Sequence, residues 1–403
     1  MKKGFTLLEI LIVIGILAIL STAMILVINP VEFLKQARDS RRLTDLSVIN
    51  GALKIIETEN SSISFGNPNT VYLSLPDDIS SSCASYSLPL LPSGWSYSCA
   101  NSANFLKVDG SGWIPVNFNS ISIGSPLAVL PIDPINTSQD GLYYTYMAGG
   151  SWNLTSILES NNQSILAKAI IDGGAMPGVY EVGTNLKLGP FTRDKGLVGF
   201  WRFEETAGTI AGDSSGGNNN GTLVGGATFV PNGKVGGAIR SQSTDQYVTV
   251  NDSQSLKPPT NITVMAWVKI NGGNQTAWPP FIGKPRSSGA SYFLYINPSE
   301  QFGTRIDTDV TTNATIVNTS IAANNNSWHF IALSRDSSTM ILYVDGAQQS
   351  RSLAGNILYD SLAVIFRSPF AAVFAVDTLL DEIRIYNRSL SFEEIQAVYD
   401  ATK

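Results

Sequence analysis

The chain divides by the period of its apolar positions. From Ile10 to Ile28 no side chain is ionisable, and the run extends back through Leu7 and Leu8 with Glu9 as its one acidic interruption. About 20 apolar residues in a helix suffice to cross a hydrocarbon core. Apolar residues then recur at Leu34, Leu46, Ile49, Leu53 and Ile56 among Lys35, Arg38, Arg41 and Arg42, the spacing of one helix face. Together the two patterns predict a long helix from Phe5 to about Glu59, on the order of 80 Å at 1.5 Å per residue. Pro30 lacks a backbone donor and should kink or locally melt it. A secretory signal peptide shares the basic start, Lys2 and Lys3, but its apolar stretch is usually about 7–15 residues and ends in a small-residue cleavage site. Here the run passes into the charged helix, so it is read as retained.

Beyond the helix the period changes. Residues 60–185 carry weak strand candidates separated by turn-rich stretches such as "FGNPN" and "DGSG", which predicts a small α+β head. Residues 186–195 hold no long periodic element and are read as a linker. From residue 196 a period of two takes over: Leu197, Gly199, Trp201 and Phe203 alternate with Val198, Phe200 and Arg202. The runs "YVTV", "ITVMAWVKI", "YFLYI", "WHFIALSRD", "MILYVDG" and "LLDEIRIYN" follow, each bounded by Gly, Asn or Asp, and this cadence predicts an all-β antiparallel sandwich over 196–403. Ser391 with Glu394 fits a capping box, so a short helix should close the chain.

Composition narrows the function. Only 14% of the 403 residues are charged and the net charge is −6, with no basic stripe of the kind nucleic acid requires. The two cysteines, Cys83 and Cys99, enclose Pro89, Pro92 and Gly94. In an oxidising compartment a bridge across so short a loop stabilises by roughly 3 kcal/mol, so a disulfide is expected rather than two free thiols. With His329 the only histidine, the cysteines form no metal-ligand cluster.

The start Lys2-Lys3-Gly4-Phe5-Thr6-Leu7-Leu8-Glu9 resembles the processing site of type IV prepilins and of the pseudopilins of type II secretion. The resemblance implies a four-residue leader (1–4), a prepilin peptidase/N-methyltransferase that cuts after Gly4 and methylates Phe5, and other pilin or pseudopilin subunits as partners. Glu9 would meet the N-terminal amine of a neighbouring subunit, and such pairing lowers the cost of burying either charge. It also implies passage through the bacterial inner membrane, single-pass over 5–59 with the C-terminal domain outside, and later a place in a surface filament or an envelope pseudopilus. "LPIDPINTSQDGLYYTY" resembles the Pro-x-Asp-Pro turn and Tyr-rich strand of small pilins, with Pro131, Asp133, Pro134, Tyr144 and Tyr146 in those places. "WNLTSILES" then supplies Trp152, Leu154 and Leu158 to close the head over the helix.

The series "GLVGFWRFEETAGTIAGDSSGGNNNGTLVGG", "DQYVTVNDSQSL", "ITVMAWVKI", "WHFIALSRD" and "DEIRIYNRSLSFEEI" resembles the laminin-G-like, concanavalin A-like jelly roll of bacterial surface proteins. The resemblance implies a structural calcium at Asp213 and Asp381. Asp and Ser also commonly cap Gly-rich turns, and Asp213 with Ser214 is open to that reading. Sugar recognition stacks rings on exposed aromatics, and Trp278 in "NGGNQTAWPPF" is the candidate for a cell-surface glycan or protein ligand. No catalytic residue is assigned. Retaining glycan hydrolysis needs two carboxyls about 5 Å apart on one face, whereas Glu204–Glu205 and Asp381–Glu382 are adjacent and alternate. Asn-x-Ser/Thr triplets, among them those at Asn136, Asn153 and Asn313, receive no function. The whole reads as a minor or tip-located pilin-like subunit displaying a lectin-like module for adhesion, with a pseudopilin as the alternative.

Overall fold

The computed structural model describes residues 6–28, 30–59, 63–89, 91, 94–122, 124–174, 176–186, 188–189, 194–243, 245–271, 280–366 and 377–403. Gly4, Phe5 and Trp278 lie outside the described residues. Two helices open the chain, α1 (Leu7–Ile28) and α2 (Pro30–Glu59). Pro30 begins the second, a position where its missing N–H would be unpaired in any residue. The expected passage through the inner membrane, and the filament or envelope location that followed from it, is corrected. Among the described residues no helix is long and apolar enough to cross a membrane.

The buried face of α2, with Leu46, Ile49, Ala52, Leu53 and Ile56, packs on a five-stranded sheet through Tyr144, Tyr146, Trp152 and Leu154. The strand order is Ser96–Cys99, Thr70–Leu73, Thr145–Ala148, Trp152–Ile157, Val179–Gly183, with the first pair parallel and the others antiparallel. A short helix, α3 (Gln163–Ile170), capped by Asn162, lies between the last two strands. The opposite face of the sheet is covered by the Cys83–Cys99 segment, whose disulfide is formed with Cα atoms 5.3 Å apart.

The second half is a sandwich of two eight-stranded sheets. In one, Ile262–Asn271 and Asp377–Tyr386 are central, and the first strand, Leu197–Trp201, pairs antiparallel with Asp377–Tyr386. The other runs from Ala314–Ala322 through Gly289–Ile296 and Pro280–Arg286 to Ile210–Ala211. The alternation read from sequence places Trp201, Val264, Ala266, Ile331, Leu333, Ile383 and Ile385 in the apolar core between them. The reverse face, with Phe200, Met265, Trp267, Phe330 and Tyr343, packs under the closing helix α4 (Phe392–Thr402). The capping box of Ser391 and Glu394 is present. Pro280–Arg286, with prolines at 280 and 285, is accommodated as a strand by register shifts at both ends, the usual route by which proline enters a sheet.

Candidate functional site

Glu9 is exposed and turned onto its own helix. Its Oε2 accepts the Thr6 N–H at 2.8 Å and the Thr6 hydroxyl at 2.9 Å, while that hydroxyl accepts the Glu9 N–H at 3.3 Å. These bonds from Thr6 hold the carboxyl below its ordinary range. The Thr6-x-x-Glu9 spacing announces such a capping box in sequence.

The Pro131-Ile132-Asp133-Pro134 turn has a specific target. Asp133, 2% exposed, receives Arg42 of α2 in a bidentate pair, Nε to Oδ2 at 2.6 Å and Nη2 to Oδ1 at 2.9 Å. Arg42 Nη1 also reaches Asp39 Oδ1 at 2.8 Å and Glu159 Oε2 at 2.5 Å, and Arg38 grips Glu159 through two further bonds. Burial works against the charge on Arg42, but its carboxylate partners outweigh that and raise its pKa. The cluster fixes both the rotation and the axial position of α2 on the sheet, because a planar guanidinium accepts two carboxylates in only a few geometries. Trp152 Nε1 donates to Asn50 Oδ1 at 2.9 Å and adds a second clasp.

In the sandwich, Asp213 and Asp381 serve different backbones. Asp213 Oδ1 accepts the N–H groups of Phe200 and Ser215, both at 2.9 Å, and Oδ2 accepts that of Asn219 at 2.8 Å. Asp381 Oδ2 accepts the Val235 N–H at 2.8 Å and Oδ1 its neighbour's, Glu382, at 2.7 Å. Asp213 bridges Trp201, which pairs on its other side with Ile383. That separates Asp213 from the Asp381 strand by two strand spacings, about 10 Å. Among the described residues no group of three or more His, Cys, Asp or Glu side chains is arranged to hold a metal.

A β-bulge with Glu382 at φ 52° breaks the alternation expected at Asp381–Glu382. Sequence alone could not show it, since nothing in "LLDEIRIY" marks the extra residue. Glu204 Oε2 accepts the Gly237 N–H at 3.1 Å, and burial raises Glu204 above the usual carboxylate range. A methyl carbon on Gly236 would stand 2.3 Å from Glu204, and one on Gly233 would stand 2.8 Å from Asp381. The glycine-rich turn thus closes over these two carboxyls. His329 is buried with Nδ1 on Asp345 at 2.6 Å and Nε2 on Asn325 at 2.9 Å.

Residues 242–396 match the family described as the concanavalin A-like lectin/glucanases superfamily, and residues 1–25 match the prokaryotic N-terminal methylation motif. No curated protein matches the chain. Among solved structures, the binding domain of Paraclostridial Mosquitocidal Protein 1 is similar at 17% identity and TM-score 0.45, covering 51% of this chain and 52% of that one. The binding domain of botulinum neurotoxin serotype G aligns at 14% identity and TM-score 0.42, covering 50% of each chain. The serotype D ligand binding domain in complex with N-acetylneuraminic acid aligns at 18% identity and TM-score 0.43, covering 51% and 50%. This chain spans about half the length of these structures.

Proposed function

We propose that this chain, with a prokaryotic N-terminal methylation motif at residues 1–25 and a concanavalin A-like lectin/glucanase match at 242–396, is a minor or tip-located type IV pilin-like subunit displaying a non-catalytic, lectin-like binding module. The observation that supports it most is the joining of two differently built parts in one chain. A helix is clamped to a small sheet through Arg42 and Asp133, and a sandwich in the matched family follows it. In this reading residues 60–185 are the pilin-like head, 186–195 the linker and 196–403 the module. Prepilin peptidase acts at Gly4–Phe5, Glu9 orders neighbouring subunits, and Trp278 offers its ring to a glycan. Calcium at Asp213 would have to use the carboxylate edge left beside its three backbone donors.

The test is a glycan array probed with the purified full chain, with Trp278→Ala alongside and with chelator added to a parallel set. One glycan class should bind and be lost in the variant. A folded chain that binds no glycan overturns the lectin reading. Intact mass on the mature protein checks the pilin-like part, which requires a chain beginning at methylated Phe5; retained Met1 overturns it.

A further inference from the structure

Asp172 and Glu181 stand where the five-stranded sheet meets the sandwich, and the lectin-like reading does not use them. Asp172 follows α3 in Asp172-Gly173-Gly174, and Glu181, 2% exposed, lies on the strand Val179–Gly183. The Asp172 carboxylate pins the turn: Oδ1 accepts the Gly174 N–H at 2.7 Å and Oδ2 accepts the Glu181 N–H at 2.8 Å. Glu181 Oε1 accepts Asn153 Nδ2 at 3.2 Å, whereas Glu181 Oε2 is buried without a hydrogen-bond partner. Asn153 Nδ2 also donates to Leu186 O at 3.2 Å, which fixes the amide's orientation, and Asn153 Oδ1 is buried with no donor. Two buried oxygens on hydrogen-bonded side chains are thus left without a partner, which is the more costly when the group is charged.

Gly174 packs directly against the Glu181 carboxyl. A methyl carbon built on it would stand 1.9 Å from Glu181 Oε2 and 3.1 Å from Asp172 Oδ1, so these two oxygens are no more than about 5 Å apart. Glu181 lines an open groove of about 310 Å³ with Lys168, Asp172 and Tyr180. It also lines a smaller cavity of about 70 Å³ at the seam with Arg202, Glu382 and Arg384. Arg384 is engaged by Glu382 at 2.8 Å, and its charge also acts on Glu181. Burial, reinforced by the Asp172 charge, pushes Glu181 up to about 8, and burial pushes Asp172 up to about 7.

We propose that Asp172 and Glu181, with the amide oxygen of Asn153, form a site for one hard divalent cation of the calcium class. The donors are carboxylate and amide oxygens without nitrogen or sulfur, the set that suits calcium or magnesium rather than zinc or copper. Calcium–oxygen distances of about 2.3–2.6 Å let one ion touch oxygens up to about 5 Å apart, and water from the open groove completes a coordination of about six to eight. The ion neutralises the carboxylate pair and satisfies the orphaned oxygen of Glu181. The site is independent of the lectin-like reading and of Asp213 and Asp381.

Terbium and calcium test it directly. The purified full chain, buffered near neutral pH where Tb³⁺ stays in solution, is titrated with Tb³⁺ while aromatic side chains are excited, Tyr180 being on the groove wall. Saturable sensitised emission is expected, displaced by Ca²⁺, with a matching heat of Ca²⁺ binding in calorimetry. Asp172→Asn and Glu181→Gln should each weaken Ca²⁺ at least about tenfold with an unchanged circular dichroism spectrum. Gly174→Ala should do the same by displacing the Glu181 carboxyl. If one variant fails to fold, the other two decide. Absence of saturable binding, or affinity unchanged in the folded variants, overturns the proposal.

Discussion

Arg42 in α2 and Ile331 in the sandwich are both fully buried, yet their surroundings have little in common. Around Arg42 stand Asp39, Asp133 and Glu159, each at hydrogen-bond distance; Ile331 sits in an apolar core drawn from both sheets. A sandwich core gains from area removed from water and tolerates exchange among side chains of similar volume. The Arg42 cluster gains little net stability from its charges, because each was desolvated to enter it, but it accepts few geometries. The difference teaches that the two halves secure different things. The sandwich secures a stable surface, and the cluster secures one orientation of helix on sheet.

Arg42→Ala should show the largest loss, about 3–5 kcal/mol, because Asp39 and Asp133 would stay buried without a partner. Ile331→Val in the sandwich should cost about 0.5–1.5 kcal/mol. Urea unfolding followed separately for each half checks this, and equal losses would erase the contrast. Reducing Cys83–Cys99 should cost roughly 3 kcal/mol, confined to the half that carries the disulfide; a shift in the sandwich transition would mean that the two halves unfold as one.

Asp194 lies where the halves join. It accepts the Gly178 N–H at 2.7 Å, and burial raises it above its ordinary 3.8 despite Arg388, with Glu394 adding to the rise and Tyr386 opposing it. A carboxyl whose folded pKa is raised binds more protons in the native state. Its stabilisation is therefore complete below pH 3.8 and is lost as pH climbs through the raised value. The slope is at most about 1.4 kcal/mol per pH unit, and Asp194→Asn should flatten it in denaturation curves taken across that range. A comparably small effect is expected from Ser391→Ala, which removes the α4 cap at about 1 kcal/mol; thermal melts of the sandwich measure it.

Much of this architecture was legible from short-range pattern. Alternation placed Leu197–Trp201 and Ile383–Ile385, the helical period placed Leu46 to Ile56, and the cysteine spacing gave the bridge. What stayed hidden depends on residues far apart in the chain. Asp133 was recognisable as part of a turn, but nothing local links it to Arg42, 91 positions away. Pro280 and Pro285 masked a strand that bulges accommodate, and the bulge at Glu382 leaves no mark in the residues around it. Asn153 stood out only as part of an Asn-x-Ser/Thr triplet, yet it is fully buried and hydrogen-bonded to Glu181. The one signal for that cluster was Asp172-Gly173-Gly174 with Glu181 nine residues after the aspartate, which a reading by strand period passes over.

The pairing of the first sandwich strand with the last has a mechanical consequence. Leu197–Trp201 lies antiparallel to the end of Asp377–Tyr386, and the join is tied by Asn387 N–H to Gly196 O at 2.8 Å and by Arg388 Nε to Lys195 O at 2.6 Å. The chain therefore enters the sandwich beside the place where it leaves for α4. Hydrogen bonds in an antiparallel ladder run across the strands. Tension arriving from the helix side through Gly196, along the first strand, would load those bonds in shear together instead of peeling them one at a time. Such an attachment resists a steady pull better than a strand unzipped from its end.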